Sequence, residues 1–181
     1  MRIKHLKEKM ITPFQVLVSY YFIAIAVSFG LLMLPWVHKE GIEVSALDTL
    51  FTAVSAVSVT GLTTINIAES FTTFGHIMIL IILQFGAIGI MSVGTFVWLI
   101  VGKRIGMKER QLLMIDNNQN NLSGVVNLIR EIVKILLLIE LIGAILLSIH
   151  FKRYFETWEE SIFNGIFTSI SATTNGGFDI T

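Results

Sequence analysis

The sequence predicts an all-α membrane protein, and three observations lead to that fold class. Apolar residues make up 54% of the chain and charged residues only 14%, with a mean hydropathy of +0.76. Soluble domains usually carry about 25% charged residues, so this chain is too apolar for a water-facing surface. Two segments, 14–34 and 77–101, contain no charge over lengths that can cross a bilayer. A third apolar segment lies near 132–151.

The first segment, 14–34, has the features of a membrane helix. Its 21 residues reach about 30 Å as a helix, which is the thickness of one hydrocarbon core. Thr12 is a candidate N-cap, Pro13 suits the first turn, and Pro35 marks the far end. A cleaved signal peptide is the alternative. The run is long for that role, and no small-residue cleavage site follows Pro35.

The distribution of charge orients the three spans. Ten basic residues flank them on one side and three on the other, so the N-terminus and the loop 102–124 are predicted to be cytoplasmic. The ten are Arg2, Lys4, Lys7, Lys9, Lys103, Arg104, Lys108, Arg110, Arg130 and Lys134. Within that loop the stretch 116–124 is polar, and Ser123 is a candidate cap for the third helix. The outer side carries eight acids, which indicate either ordinary solvated loops or a vestibule that concentrates cations.

An internal repeat organises the chain. Residues 48–62 align without gaps on residues 164–178 at an offset of 116, and each copy follows a membrane span on the outer side. The identical pairs are Phe51/Phe167, Thr52/Thr168, Ser55/Ser171, Ala56/Ala172 and Gly61/Gly177. The repeat predicts four segments: a cytoplasmic N-terminus 1–13, a first unit 14–101, a cytoplasmic loop 102–124, and a second, incomplete unit 125–181.

Each copy of the repeat is too short to span and too apolar for a free loop. Ten residues of helix reach about 15 Å, half a bilayer, so short helices are predicted over 48–57 and 164–173. Asp48 and Asn164 are the expected caps. Irregular backbone at membrane depth must be buried in protein or line a water-filled cavity. The predicted fold is therefore a tandem of helix–pore-loop–helix units, although an outer loop or an interfacial amphipathic segment is the alternative.

A helix break is expected at Ser58 and at Thr174, followed by a returning strand that contains Gly61 or Gly177. Glycine can adopt positive φ and turn successive carbonyls toward one axis, where they can replace the hydration shell of a cation. The predicted ion-filter residues are Ser58, Val59, Thr60, Gly61, Leu62, Thr174, Asn175, Gly176, Gly177 and Phe178. Because the offset maps Gly61 onto Gly177, Gly177 rather than Gly176 is the expected filter glycine of the second copy.

At Val59-Thr60-Gly61-Leu62, at Gln84-x-Gly86-x-x-Gly89-x-Met91 and at Gly102-Lys103-x-x-Gly106, the chain resembles the Trk/Ktr/HKT superfamily of potassium transporters. The likeness is closest to the bacterial Ktr membrane subunit. The second filter, 174–178, departs from the family's Asn-Asn-Ala-Gly-Phe pattern at two positions but keeps the filter glycine. The family is built from four helix–pore-loop–helix units in one chain, of which about two are present here.

The resemblance implies potassium uptake at the plasma membrane by a multi-pass protein, with a possible dependence on sodium. Members with serine at the first filter glycine favour sodium, so Gly61 argues for potassium. The resemblance also implies a cytoplasmic nucleotide-binding ring as partner, facing the loop 102–124, and a homodimer of full-length subunits. Because the chain ends at Thr181, we expect a fragment of a transporter that does not conduct alone. A non-conducting truncated membrane protein or scaffold is the alternative.

Two polar side chains inside the spans, Glu140 and Gln84, need an explanation. A carboxylate at mid-membrane costs about 2.5–3.5 kcal/mol on insertion scales. Lys134 lies six residues from Glu140, on another face of the helix, so a partner off the helix is expected. Glu140 is predicted to buttress the second pore helix, or else to lie on an ion or proton path. Gln84 is predicted to pack between helices or to hydrogen-bond the filter scaffold.

Composition and spacing exclude several function classes. The formal net charge is zero, so no global basic field indicates nucleic-acid binding. The chain has no cysteine, and its four histidines show no ligand spacing, so no resident metal is expected. Ser58, Thr60 and Ser171 have no nearby base in the sequence, and phosphate-binding motifs are missing. The chain is therefore predicted not to be an enzyme and to need no cofactor beyond transported potassium.

Overall fold

The structure is a computed structural model that describes residues 13–89, 92, 106–116, 119 and 124–181. These residues form helices and turns and no strand, which confirms the all-α prediction. In chain order the helices are α1 (Pro13–Leu32), a 3₁₀ turn (Pro35–Val37), α2 (Ala46–Val57), α3 (Ile67–Ser70), α4 (Thr73–Ile88), α5 (Met107–Asp116), α6 (Val125–Phe151) and α7 (Trp158–Thr173). The predicted N-terminal segment, the cap Thr12 and most of 90–105 lie outside the described residues.

Two of these helices are long and apolar enough to cross a membrane. They contain the segments Gln15–Leu32, with a mean hydropathy of 1.9, and Val126–Phe151, with 2.6. Large apolar side chains stand exposed on both, such as Phe22 on α1 and Leu146 on α6. A contiguous exposed apolar face is costly in water but favourable against lipid chains. The first and third predicted spans are therefore confirmed as helices of suitable length and character.

Helix α6 begins earlier than expected, and its predicted cap is wrong. The helix starts at Val125 rather than near 132, and its N-cap is Gly124, which adopts φ 82 and makes no side-chain cap hydrogen bond. The predicted cap, Ser123, lies outside the described residues and one position before the actual N-cap. The start of this helix carries charge, and Lys134 and Glu131 form an exposed ion pair at 2.8 Å. Such a pair stabilises little but suits a helix end that leaves the hydrocarbon.

The predicted span 77–101 also differs from the structure. Helix α4 begins at Thr73 and ends at Ile88, because Gly89 adopts φ 85 and ψ 133. Only glycine takes such a conformation without strain, and it stops the helical hydrogen-bond ladder. The side chain of Asp116 packs against this break, where a Cβ on Gly89 would lie 2.7 Å from Oδ2. The helix of the second span is thus interrupted one turn after Phe85.

One apolar core holds both copies of the repeat together. It joins residues from α1, α2 and α4, and Phe167 and Phe178 of the second copy enter the same cluster. Helix α4 approaches α2 closely at Gly86, where a Cβ would lie 2.5 Å from the carbonyl oxygen of Val57. The absence of a side chain at Gly86 therefore allows the two helices to pack closely. The C-terminal end of α2 and the end of the second copy are therefore fixed against a common support.

Candidate functional site

The short helix of each copy begins with a side-chain cap, but not with the predicted residue. The hydroxyl of Ser45 accepts a hydrogen bond from the backbone N–H of Asp48 at 3.1 Å and caps α2. Asp48 therefore lies in the first turn, where its negative charge faces the positive end of the helix dipole. Its carboxylate accepts hydrogen bonds from Ser45 and from Thr64, each at 2.6 Å, and these hold its pKa below the ordinary value.

The second short helix shows the same correction. Helix α7 starts at Trp158, six residues before the predicted start, and Thr157 is its cap, accepting from the N–H of Glu160 at 3.2 Å. Asn164 is buried within the helix, where its Nδ2 donates to the carbonyl of Glu160 at 2.9 Å. Both true caps stand three residues before an acidic residue, the spacing of a capping box.

Both short helices end where the repeat predicted. Their C-caps are Ser58 and Thr174. The next residue adopts positive φ in each copy, 52° at Val59 and 59° at Asn175, and so does the glycine two positions later, 76° at Gly61 and 65° at Gly177. Positive φ is uncommon for residues other than glycine. Its appearance at two equivalent non-glycine positions shows that the turn conformation repeats at the offset of 116.

The hydrogen bonds that shape this turn also repeat. The N–H of Ser58 donates to Val54 and that of Thr174 to Ile170, both at 2.9 Å, and the two hydroxyls donate to the same carbonyls at 2.7 Å. The N–H of the residue two positions later, Thr60 or Gly176, bonds back into the helix at 2.9 and 2.7 Å. Equivalent backbone bonds with different side chains show that the two copies share one local fold.

The copies differ in how the returning segment is held. In the second copy the hydroxyl of Ser171 donates to the carbonyl of Phe178 at 2.6 Å, and Phe178 is 4% exposed. In the first copy Ser55 occupies the equivalent position, but its buried Oγ has no hydrogen-bond partner among the described residues. Leu62, the counterpart of Phe178, is 60% exposed. The returning segment of the second copy is therefore anchored to its own helix, and that of the first copy is open on one side.

The two returning segments lie side by side. A Cβ on Gly61 would overlap the carbonyl oxygen of Gly176, and a Cβ on Gly177 would lie 3.4 Å from Cα of Gly61. A cavity of about 260 Å³ opens beside the two glycines. It is lined by Gly61, Thr63, Ile65, Asn66, Ile67, Ala68, Gly177, Phe178, Asp179 and Thr181. The structure thus brings the predicted residues of both copies to one place.

The two polar residues predicted to lie inside the spans, Gln84 and Glu140, are hydrogen-bonded to each other. The Nε2 of Gln84 on α4 donates to Oε2 of Glu140 on α6 at 2.5 Å. Ser169 of α7 donates from Oγ to the backbone carbonyl of Glu140 at 2.8 Å. Lys134 pairs with Glu131 instead. The expected partner off the helix is confirmed, and Glu140 contacts the second short helix. Sequence reasoning missed Ser169, because nothing in the sequence indicates a contact across 29 residues.

These features define a helical membrane protein with two matched helix–turn segments that meet at a pair of glycines. A family model described as a cation transport protein, TrkH, matches residues 3–181. The chain belongs to the TrkH family of cation transport proteins. A family of transporters agrees with the prediction that the chain is not an enzyme.

Three relatives from bacteria are similar over most of the chain. The chain is 51% identical over 171 residues to Ktr system potassium uptake protein D of Bacillus subtilis, covering 94% of the chain and 38% of that relative. It is 37% identical over 177 residues to Ktr system potassium uptake protein B of the same species, covering 98% and 39%. It is 36% identical over 173 residues to potassium/sodium uptake protein NtpJ of Enterococcus hirae, covering 96% and 38%. The chain therefore spans about two fifths of the length of these relatives.

Proposed function

We propose that the chain supplies two of the four pore-loop units of a potassium uptake pathway, with filter segments 58–62 and 174–178. The observation that carries the proposal is the matched pair of positive-φ turns, 52° and 76° in one copy and 59° and 65° in the other. One such turn would be an ordinary helix end. Two with the same hydrogen bonds, meeting at Gly61 and Gly177, support a shared binding axis.

The proposed filter works through its backbone. Alternating positive φ turns carbonyl groups of the returning segment toward one side, and a ring of carbonyls can replace the water around a potassium ion. Two segments make only part of such a ring. Four units around one axis would complete the ring, and we expect the whole transporter to supply the other two. The relatives are named as potassium uptake and potassium/sodium uptake proteins, which supports potassium as the transported ion.

The location and partners follow from the charge pattern and the relatives. We place the protein in the cell membrane with a cytoplasmic N-terminus 1–13 and a cytoplasmic loop 102–124, since basic residues concentrate there. The relatives are named as members of a Ktr system, which supports further subunits. We propose a nucleotide-binding ring on the cytoplasmic side and a homodimer of full-length subunits, with sodium as a possible activator.

Potassium uptake by a bacterial strain without its own potassium transporters tests this function. The strain should grow at low potassium when it expresses this chain joined to the remaining two units, and should not grow with the chain alone. Gly61→Ala should reduce growth at low potassium, because its Cβ overlaps the carbonyl of Gly176. Gly30→Ala is the matched control, since nothing lies within 4 Å of its Cβ. Equal growth with both variants would contradict a filter role for Gly61, and no growth of the complete protein would favour a non-conducting scaffold.

A further inference from the structure

Two buried side-chain oxygens at the junction of α4 and α6 receive no hydrogen bond within the part of the chain that the structure describes. They are Oε1 of Glu140 and Oε1 of Gln84. They belong to the same two side chains that the bond from Nε2 of Gln84 to Oε2 of Glu140 already joins. Glu140 is only 5% exposed. Buried acceptors without a donor are costly, so a pair of them side by side needs a physical cause.

An ionised Glu140 does not fit its surroundings. A carboxylate here would carry a full charge in a buried apolar environment, and it would accept a hydrogen bond only from the amide of Gln84, which is energetically costly. Three helices meet here, α4 at Gln84, α6 at Glu140 and α7 at Ser169. On the described part of each helix, every other charged or titratable side chain is at least six residues away from that contact residue. They are His76 on α4, Arg130, Glu131, Lys134 and His150 on α6, and Glu159 and Glu160 on α7. None of them forms an ion pair with Glu140.

We propose that Glu140 binds a proton and forms a cyclic acid–amide pair with Gln84. The proton sits on Oε1 of Glu140 and is donated to Oε1 of Gln84, while Nε2 of Gln84 keeps its bond to Oε2. One proton therefore satisfies both oxygens that lack a donor and also removes the buried charge. A metal cation is a poorer fit, because hard cations such as Ca²⁺ and Mg²⁺ take six or more oxygen ligands and this site offers two.

The protonated pair would act as a positioning element for both filter segments, a role that rests on the proposed function. Through Ser169, Glu140 contacts the second short helix. Gln84 lies two residues before Gly86, at which α4 packs against the end of the first short helix. The pair thus connects the supports of the two turns through a neutral link that is stable in a low-dielectric interior.

Infrared difference spectroscopy of the full-length transporter in lipid tests the proton directly. The spectrum of the wild type minus that of Glu140→Gln should show the carbonyl stretch of a protonated carboxylic acid at neutral pH. A carboxylate band in its place would overturn the proposal, as would a change of this band when sodium is added. The readout requires no transport, so failure of the proposed function leaves it intact.

An exchange of the two residues provides a second, matched test. In the double variant Gln84→Glu with Glu140→Gln, the acid moves to the other helix, and the acid band should return. The thermal unfolding midpoint of this variant and of Glu140→Gln should stay close to that of the wild type, because an amide also pairs with an acid or amide across the junction. Glu140→Leu should lower it. A midpoint in Glu140→Gln as low as in Glu140→Leu would show that the negative charge is required.

Discussion

At the scale of single residues, the two adjacent glycines of the second copy differ in what a methyl group would meet. Gly177 adopts φ 65, so an alanine there is strained whatever the space. Gly176 has no such conformation, and its Cβ would meet side-chain atoms, the tip of Leu83 at 2.7 Å and Oγ1 of Thr174 at 3.1 Å. Gly177→Ala is therefore expected to reduce potassium affinity by about tenfold or more, and Gly176→Ala to have a smaller effect.

Uptake kinetics at equal protein abundance measure this difference. The structure adds a control to the prediction from the repeat: Leu83→Ala should partly relieve Gly176→Ala, because it removes the atoms closest to the new methyl group. The same change should not relieve Gly177→Ala. Equal damage from both glycine substitutions, or greater damage from Gly176→Ala, would show that the repeat is offset by one residue or that the segment is not a filter.

Asp48 connects the start of the first short helix to the segment after the proposed filter, because its carboxylate accepts a hydrogen bond from Thr64. Because hydrogen bonds from Ser45 and Thr64 lower its pKa, its stabilising contribution is complete above the pKa of the unfolded chain and is lost as pH falls through the folded value. Asp48→Asn is expected to lower the thermal unfolding midpoint by a constant amount between pH 7 and about 5. The difference should shrink below about pH 4. A difference that grows on acidification would contradict this account.

At the scale of helices, the N-cap of α7 in the structure differs from the predicted one, and this difference can be tested. Thr157 caps α7, whereas the predicted cap Asn164 lies inside the helix. Thr157→Val, which keeps the shape and removes the hydroxyl, is expected to destabilise the protein by about 1 kcal/mol. Thr157→Ser is the matched control and should be nearly neutral. Chemical unfolding in detergent measures both, and a neutral Thr157→Val would mean that the cap contributes nothing.

Helices α6 and α7 pack closely at two glycines, Gly143 and Gly165. The atoms next to Gly143 can rotate away, whereas those next to Gly165 include fixed backbone atoms. A Cβ on Gly165 would meet backbone atoms of Ser148, with its N at 2.7 Å and Cα at 2.9 Å, whereas a Cβ on Gly143 would meet mainly the rotatable hydroxyl of Ser169. Gly165→Ala is expected to destabilise by about 1–3 kcal/mol, and Gly143→Ala by less. Adding Ser169→Ala should recover the loss from Gly143→Ala. A loss from Gly143→Ala that exceeds the one from Gly165→Ala would disagree with this packing.

The helices show which signals the sequence contained. The ends of α2 and α7 were predictable, because the two copies of the repeat align at Ser58 and Thr174 and each of these residues is soon followed by a glycine. The caps Ser45 and Thr157 could also have been predicted from the sequence, since each precedes an acidic residue by three positions. The break at Gly89 was not, because Gly86 in the same apolar run serves packing instead. The pairing of Gln84 with Glu140 joins residues 56 positions apart and required the tertiary structure.

At the scale of the whole molecule, the proposed orientation can be tested with single cysteines, since the chain contains none of its own. Glu43 and Met107 are both exposed, and they lie on opposite sides of the membrane in the proposed topology. Glu43→Cys should react with a membrane-impermeant thiol reagent added outside intact cells, and Met107→Cys should react only after lysis. Labelling of Met107→Cys from outside would reverse the topology.

The central claim is that Gly61 and Gly177 belong to one potassium filter, and Gly61→Ser tests it most directly. A side chain at Gly61 would displace the neighbouring carbonyl of Gly176, so the ring should lose its fit to potassium. Gly30→Ser, with open space around its Cβ, is the control. In the complete transporter, competitive uptake of potassium and sodium should show the preference for potassium falling by about tenfold, or 1.4 kcal/mol, in Gly61→Ser alone. An unchanged ratio of the two ions at reduced or normal uptake would contradict the filter.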